Sequence, residues 1–139
     1  MSKVNYDWLG KYHKDVSDEN VRTVLDRISS ELGNTVNVMG GDRKSSVKGG
    51  SSTSMHNKGR AADFCVDGYT LKTAFEAIRS HKDKIFDANE YYEVIHHGEF
   101  SETGGQHLHV GHRDWVGSGV IFEIEGYSSS RKGVYEEVP

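Results

Sequence analysis

The sequence predicts an α+β domain, a small and largely antiparallel sheet with flanking helices. Two stretches repeat apolar residues at helical spacing, and about five short stretches alternate apolar with polar residues. The connections between those strands are mostly too short for crossover helices, which is what makes antiparallel pairing the expectation. At 139 residues and 15.5 kDa the chain is expected to form one domain over residues 1–139, with its own buried core.

Taken in order, the segment through Asp15 carries Tyr6, Trp8, Leu9 and Tyr12 at mixed spacing and is expected to be a short helix or turn. From Ser17 to Leu32, Val21, Val24, Leu25, Ile28 and Leu32 mark one helical face; Ser17 or Asp18 can cap its start and Gly33 its end. Thr35 to Met39 alternates and is rich in β-branched residues, so it reads as a strand that stops at Gly40 and Gly41. Residues 44–54 have the Ser, Gly and Lys composition of a flexible loop, either a surface insertion or a mobile rim beside His56. Ala61 to Val66 reads as a strand with Ala62, Phe64 and Val66 on one face and Asp63 and Cys65 on the other. Thr70 can cap a second helix whose face is Leu71, Ala74, Phe75 and Ile78. Strands are then expected over Tyr91 to His97, Gln106 to His112 and Val120 to Ile124, with an irregular tail over residues 127–139.

Composition narrows the function. The chain is 35% hydrophobic and 27% charged, with a mean hydropathy of −0.67 and no apolar run able to span a bilayer, so no membrane insertion is expected. A net charge of −4 and a pI near 6.0 argue against nucleic acid as partner. The N-terminus lacks the apolar core of a secretory signal, so synthesis in the cytoplasm is expected, with action elsewhere only after release or transport. The single cysteine, Cys65, rules out an internal disulfide and a cysteine-based zinc knuckle. Histidine is the surplus: there are eight, and five of them lie between His96 and His112.

His56 and Asp63 stand seven residues apart, and on a strand His107 and His109 project to the same side while Leu108 and Val110 face the core. Two imidazoles and a carboxylate suit zinc and leave a position open for water, which is a catalytic layout. A lone strand histidine is more often a polar surface residue or a satisfied core group than a ligand, and H-x-H by itself is a weak signal; the combination is stronger. The chain has no H-E-x-x-H, so a helical zincin site is excluded as the source of such chemistry. Between His56 and Asp63, Gly59 can take positive φ and Ala61 is small, which would let both ligands reach one ion.

The run Ser-Met-His-Asn-Lys-Gly-Arg-Ala-Ala-Asp over residues 54–63 resembles the S-x-H-x-x-G-x-A-x-D signature of the zinc D-alanyl-D-alanine carboxypeptidase and L-alanyl-D-glutamate endopeptidase family, matching all five defined positions. The likeness covers roughly residues 36–112. It implies a hedgehog/DD-peptidase-like fold, zinc held by His56, Asp63 and His109, Arg43 bound to a carboxylate of the substrate, and Ser54 holding the substrate or the turn. For Arg43 the plainer alternative is a surface salt bridge, although a guanidinium fork suits a peptide carboxylate. Relatives commonly place an acidic base three residues before the last histidine ligand, where this chain has Gln106. Glu102 is therefore the first choice for general base and His107 the second, with Glu99 on the same loop.

The expected function is thus a zinc-dependent peptidoglycan peptidase acting on stem peptides, as a monomeric phage endolysin or a secreted antibacterial effector. An effector would have an immunity protein or a secretion carrier as partner. Two readings compete: a non-catalytic zinc-containing binding module of the same fold, and a histidine-rich domain with no metal site.

Overall fold

A computed structural model describes residues 2–8, 13–43, 55–102 and 105–139. Along the chain run β1 (Val4–Asn5), α1 (Glu19–Leu32), β2 (Val36–Gly40), a 3₁₀ turn (Met55–Lys58), β3 (Ala61–Val66), α2 (Leu71–Ser80), α3 (Lys82–Ile85), β4 (Tyr91–His97), β5 (His107–His112), β6 (Gly119–Glu125) and β7 (Tyr135–Glu137). No described helix is long and apolar enough to cross a membrane.

The α1 helix begins and ends where its side chains dictate. Asp18 is the N-cap, its carboxylate accepting from Asn20 N–H, and Gly33 closes the helix at φ 73° with its N–H donating to the Ser29 carbonyl. Thr70 likewise caps α2 by accepting from Thr73 N–H. Both helices turn their apolar stripes onto one face of the sheet, where Val36, Val38, Phe64, Tyr92, Val94, Leu108, Val110 and Phe122 complete the core. Burying such a stripe, rather than propensity, is what holds helices of this length.

The seven strands lie in the order β1-β2-β3-β5-β4-β6-β7. The class is α+β, but the sheet is mixed rather than the expected largely antiparallel one: β1 pairs parallel to β2 and β4 parallel to β6, while the other four pairings are antiparallel. Both parallel pairs have a topological cause. The β1 strand reaches β2 through α1, a crossover that two residues of strand do not announce. Strand β6 does not settle beside β5; the chain from 113 to 118 passes the start of β4, and β6 joins the far edge of β4. The tail also departs from expectation, since Tyr135–Glu137 pairs with β6 and Val138 packs against the core. Three residues are too few to display a period.

Period-two alternation sends the odd residues of β3, β4 and β5 to the face opposite the helices. That face carries Asp63, Glu93, Ile95, His97, His107 and His109, and it is where the candidate site forms.

Candidate metal centre

Three segments bring the expected ligands together. Asp63 and His109 are direct partners across the β3/β5 pair, so strand register alone sets them side by side. His56 arrives from the 3₁₀ turn, whose exit is shaped by Gly59 at φ 72° and by hydrogen bonds from Gly59 N–H to the His56 carbonyl and from Asp18 N–H to the Gly59 carbonyl. Opposite it, Gly41 lies so close to the segment before α1 that a Cβ there would sit 2.1 Å from the Asp15 carbonyl oxygen. Only glycine fits, and its carbonyl accepts from His56 Nδ1 at 2.8 Å.

That last bond leaves His56 Nε2 facing inward, 2.9 Å from Asp63 Oδ1. His109 Nδ1 lies 3.3 Å from the same oxygen and 3.2 Å from His56 Nε2, while its outer nitrogen, Nε2, is 2.7 Å from Glu93 Oε2. His56, Asp63 and His109 each offer one ligand atom, all within 4.8 Å of one another, so this buried group could hold a metal ion. The donor set passes a chemical test as well. Each imidazole has its outer nitrogen occupied by an acceptor, which fixes ring and tautomer and turns the inner nitrogen toward the shared point.

The electrostatics follow from that crowding. Burial alone would raise the Asp63 carboxyl, yet hydrogen bonds from His107, His109 and His56 hold it well below the usual range. Burial would likewise drive the proton off His109, but hydrogen bonds to Asp63 and Glu93 and their charges raise its pKa to about 9. Glu93, despite its burial, is brought down to about 2 by His109 and then Arg113, whose Nε donates to Glu93 Oε1 at 3.1 Å. In the metal-free protein His109 is thus an imidazolium between two carboxylates.

The other expected site residues fall in different places. His107 joins the cluster: it is buried, Nε2 lies 3.4 Å from Asp63 Oδ1, and Nδ1 donates to the Gly105 carbonyl at 2.8 Å. Glu102 is exposed and sits toward the turn before β7, where a Cβ on Gly133 would be 3.5 Å from its Oε2. Glu99 and Gln106 are exposed too. Arg43 follows Gly41 and Asp42, and its N–H donates to the His56 carbonyl at 3.0 Å, so its backbone supports the turn that carries His56. Ser54 and the loop of residues 44–54 lie outside the described residues.

Sequence reasoning passed over Glu93, His97, Glu125 and Arg113. Alternation could have found the first two, since Glu93, Ile95 and His97 share a face of β4 that register lays against His109 and His107. The rings of His97 and His107 stack with centroids 4.4 Å apart, and His97 Nδ1 donates to the fully buried Glu125 at 2.6 Å. Burial and the neighbouring His107 charge push His97 down to about 4 in spite of Glu125. Glu125 comes from β6, whose parallel seat beside β4 is not legible in a linear pattern.

His96 and His112 stand apart from this cluster on the helix side. His96 meets Tyr127, and His112 bridges Asp18 (2.6 Å from Nδ1) and Glu90 (2.8 Å from Nε2) at the entrance to α1. Compared with protein-family models, curated proteins and solved structures, the chain matches none.

Proposed function

We propose that the chain is a zinc-dependent peptidoglycan peptidase that cuts stem peptides, with His56, Asp63 and His109 as the ligands. The observation that carries this reading is the convergence of His56 Nε2, Asp63 Oδ1 and His109 Nδ1 within the very segments whose sequence resembles the peptidase signature. Two imidazoles and one carboxylate favour zinc over the oxygen-seeking divalent ions and leave coordination to spare. When bound, zinc supplies Lewis acidity toward a peptide carbonyl and toward water.

The chain's own residues supply the rest. Glu93 holds His109 by its outer nitrogen, and Gly41 does the same for His56. His107 offers Nε2 at the edge of the ligands, a position suited to donating to the carbonyl oxygen as negative charge develops there. Of the two residues expected to handle protons, His107 lies beside the ligands as a donor, whereas Glu102, the one carboxylate acceptor of the pair, would have to swing in from the loop before β5. Arg43 is assigned to a carboxylate of the stem peptide. An endolysin or a secreted antibacterial effector would both use this chemistry.

The exposed Gln106, standing where relatives carry an acid, favours the rival reading of a zinc-containing binding module. Digestion of purified peptidoglycan by the zinc-loaded protein, read by mass spectrometry beside His56→Ala, Glu102→Gln and His107→Ala, separates the two. Peptide or D-alanine release that His56→Ala abolishes upholds the peptidase, and the other two variants identify the proton acceptor. Stoichiometric zinc without cleavage of any peptidoglycan type would leave the binding module.

A further inference from the structure

The 113–118 connection passes the start of β4 and leaves an unusual surface there. Trp115 is half exposed and Val116 fully exposed, yet the indole is not loose. The Arg113 guanidinium carbon lies 5.0 Å from the Trp115 ring centroid and 4.8 Å from that of Tyr91, and the Tyr91 and Trp115 rings meet edge to face at 86°. Arg113 is itself anchored, donating to Glu93 Oε1 at 3.1 Å and to the Tyr91 hydroxyl at 2.8 Å. An exposed aromatic with a fixed support beneath it is a platform already ordered for a ligand.

Its position relates it to the metal centre. Tyr91 and Glu93 are alternate residues of β4 and share the face that carries His109; Tyr91 lies four residues along β4 from Ile95, the cross-strand partner of His109, so the shelf begins about 13 Å along the strand from His109. An extended peptide covers about 3.3–3.6 Å per residue, so about four residues bridge that span. A stem peptide is covalently attached to a sugar of the glycan strand, and its first residues would bring that sugar to the shelf.

We propose that Trp115, carried on Arg113 and Tyr91, is a subsite for a pyranose ring of the glycan strand; this rests on the peptidase reading and extends it. The ring face of an indole is electron-rich and attracts the polarised C–H bonds of a pyranose face. At the rim the Lys58 and Asp114 ion pair, 2.8 Å apart and partly exposed, offers a donor and an acceptor to hydroxyls. A protein partner would be expected to require a broader apolar patch than one indole and one valine among charges.

The test uses the full chain, metal-free and zinc-loaded, titrated with a tetramer of β-1,4-linked N-acetylglucosamine and followed by tryptophan fluorescence and NMR. Saturable binding is expected in both states, lost in Trp115→Ala and partly restored in Trp115→Phe. In hydrolysis, Trp115→Ala should raise KM about tenfold for a sugar-bearing muropeptide, leaving kcat, the free stem peptide and zinc affinity unchanged. No saturation at about 10 mM sugar, well above a millimolar Kd, would overturn the proposal. So would equal binding by Trp115→Ala, or a change in self-association as that variant's one effect. Sugar binding without hydrolysis would uphold the shelf and sink the peptidase; hydrolysis with an unchanged muropeptide KM in Trp115→Ala would do the reverse.

Discussion

Replacing Glu93 with glutamine should weaken metal binding although Glu93 is not a ligand. The substitution keeps the shape and an acceptor oxygen but removes the charge from a 2.7 Å contact with His109 Nε2. A hydrogen bond to a charged group contributes about 1.5–3 kcal/mol against about 0.5–1.5 kcal/mol for a neutral one, a difference of roughly 1–1.5 kcal/mol. Loss of a nearby negative charge facing the cation adds to this, because the Glu93 side chain is only 14% exposed and poorly screened. Together these give a fall in affinity of about 10- to 100-fold, the range found when such outer partners are removed. Competition for zinc against a chromophoric chelator at fixed pH reads the affinity, and urea unfolding in chelator controls for loss of fold. If Glu93→Gln stays within about twofold of the wild type while His109→Ala loses zinc, the carboxylate does not orient the ligand and the reasoning fails.

Zinc should displace a proton from His109, whose pKa is raised from 6.5 to about 9 in the folded metal-free protein. Affinity should therefore climb as pH rises toward 9, and calorimetry in buffers of different ionisation enthalpy should count about one proton released near pH 7; a count near zero refutes this. A raised imidazole pKa stabilises the fold fully below the unfolded value and loses that contribution as pH rises through the folded one. The metal-free protein should thus lose stability between pH 6.5 and about 9, and a flat profile in chelator would contradict the assignment. Gly111→Ala should act at a distance, since its Cβ would lie 2.9 Å from Glu93 Cγ and Oε2. Moving that carboxylate should cost about tenfold in zinc affinity and about 1 kcal/mol of stability, read by the same chelator competition and urea curves.

What could be read without coordinates was whatever depends on neighbours in sequence. The Asp18 and Thr70 caps, the Gly33 stop and the bounds of β3 and β4 are local chemistry, and they stand as expected. The shared face of His107 and His109, opposite Leu108 and Val110, followed from the pleat. Strand order did not follow, because whether β6 sits beside β5 or beyond β4 depends on which edge it covers, and no residue spacing records that. For the same reason Glu125 and the Arg113 support under Trp115 were out of reach. The general base remained a choice between the loop residues Glu102 and Glu99 and the strand residue His107, since a loop's sequence does not say which way it folds over a site.

The sheet order gives the candidate centre a mechanical meaning. Strands β1, β2 and β3 form one half and β5, β4, β6 and β7 the other, and among the described residues the halves meet at four paired positions, from Ala61 with Gly111 to Phe64 with Leu108. On the helix side α1 lies across this seam, packing on both β3 and β5. On the opposite side His56 and Asp63 belong to one bank and His109 to the other. An ion held by all three would work as a rivet opposite the α1 strap, turning the chain from Asp63 to His109 into a closed loop. Chelation would then be felt in the middle of the sheet, where two half-sheets regain their freedom to shear.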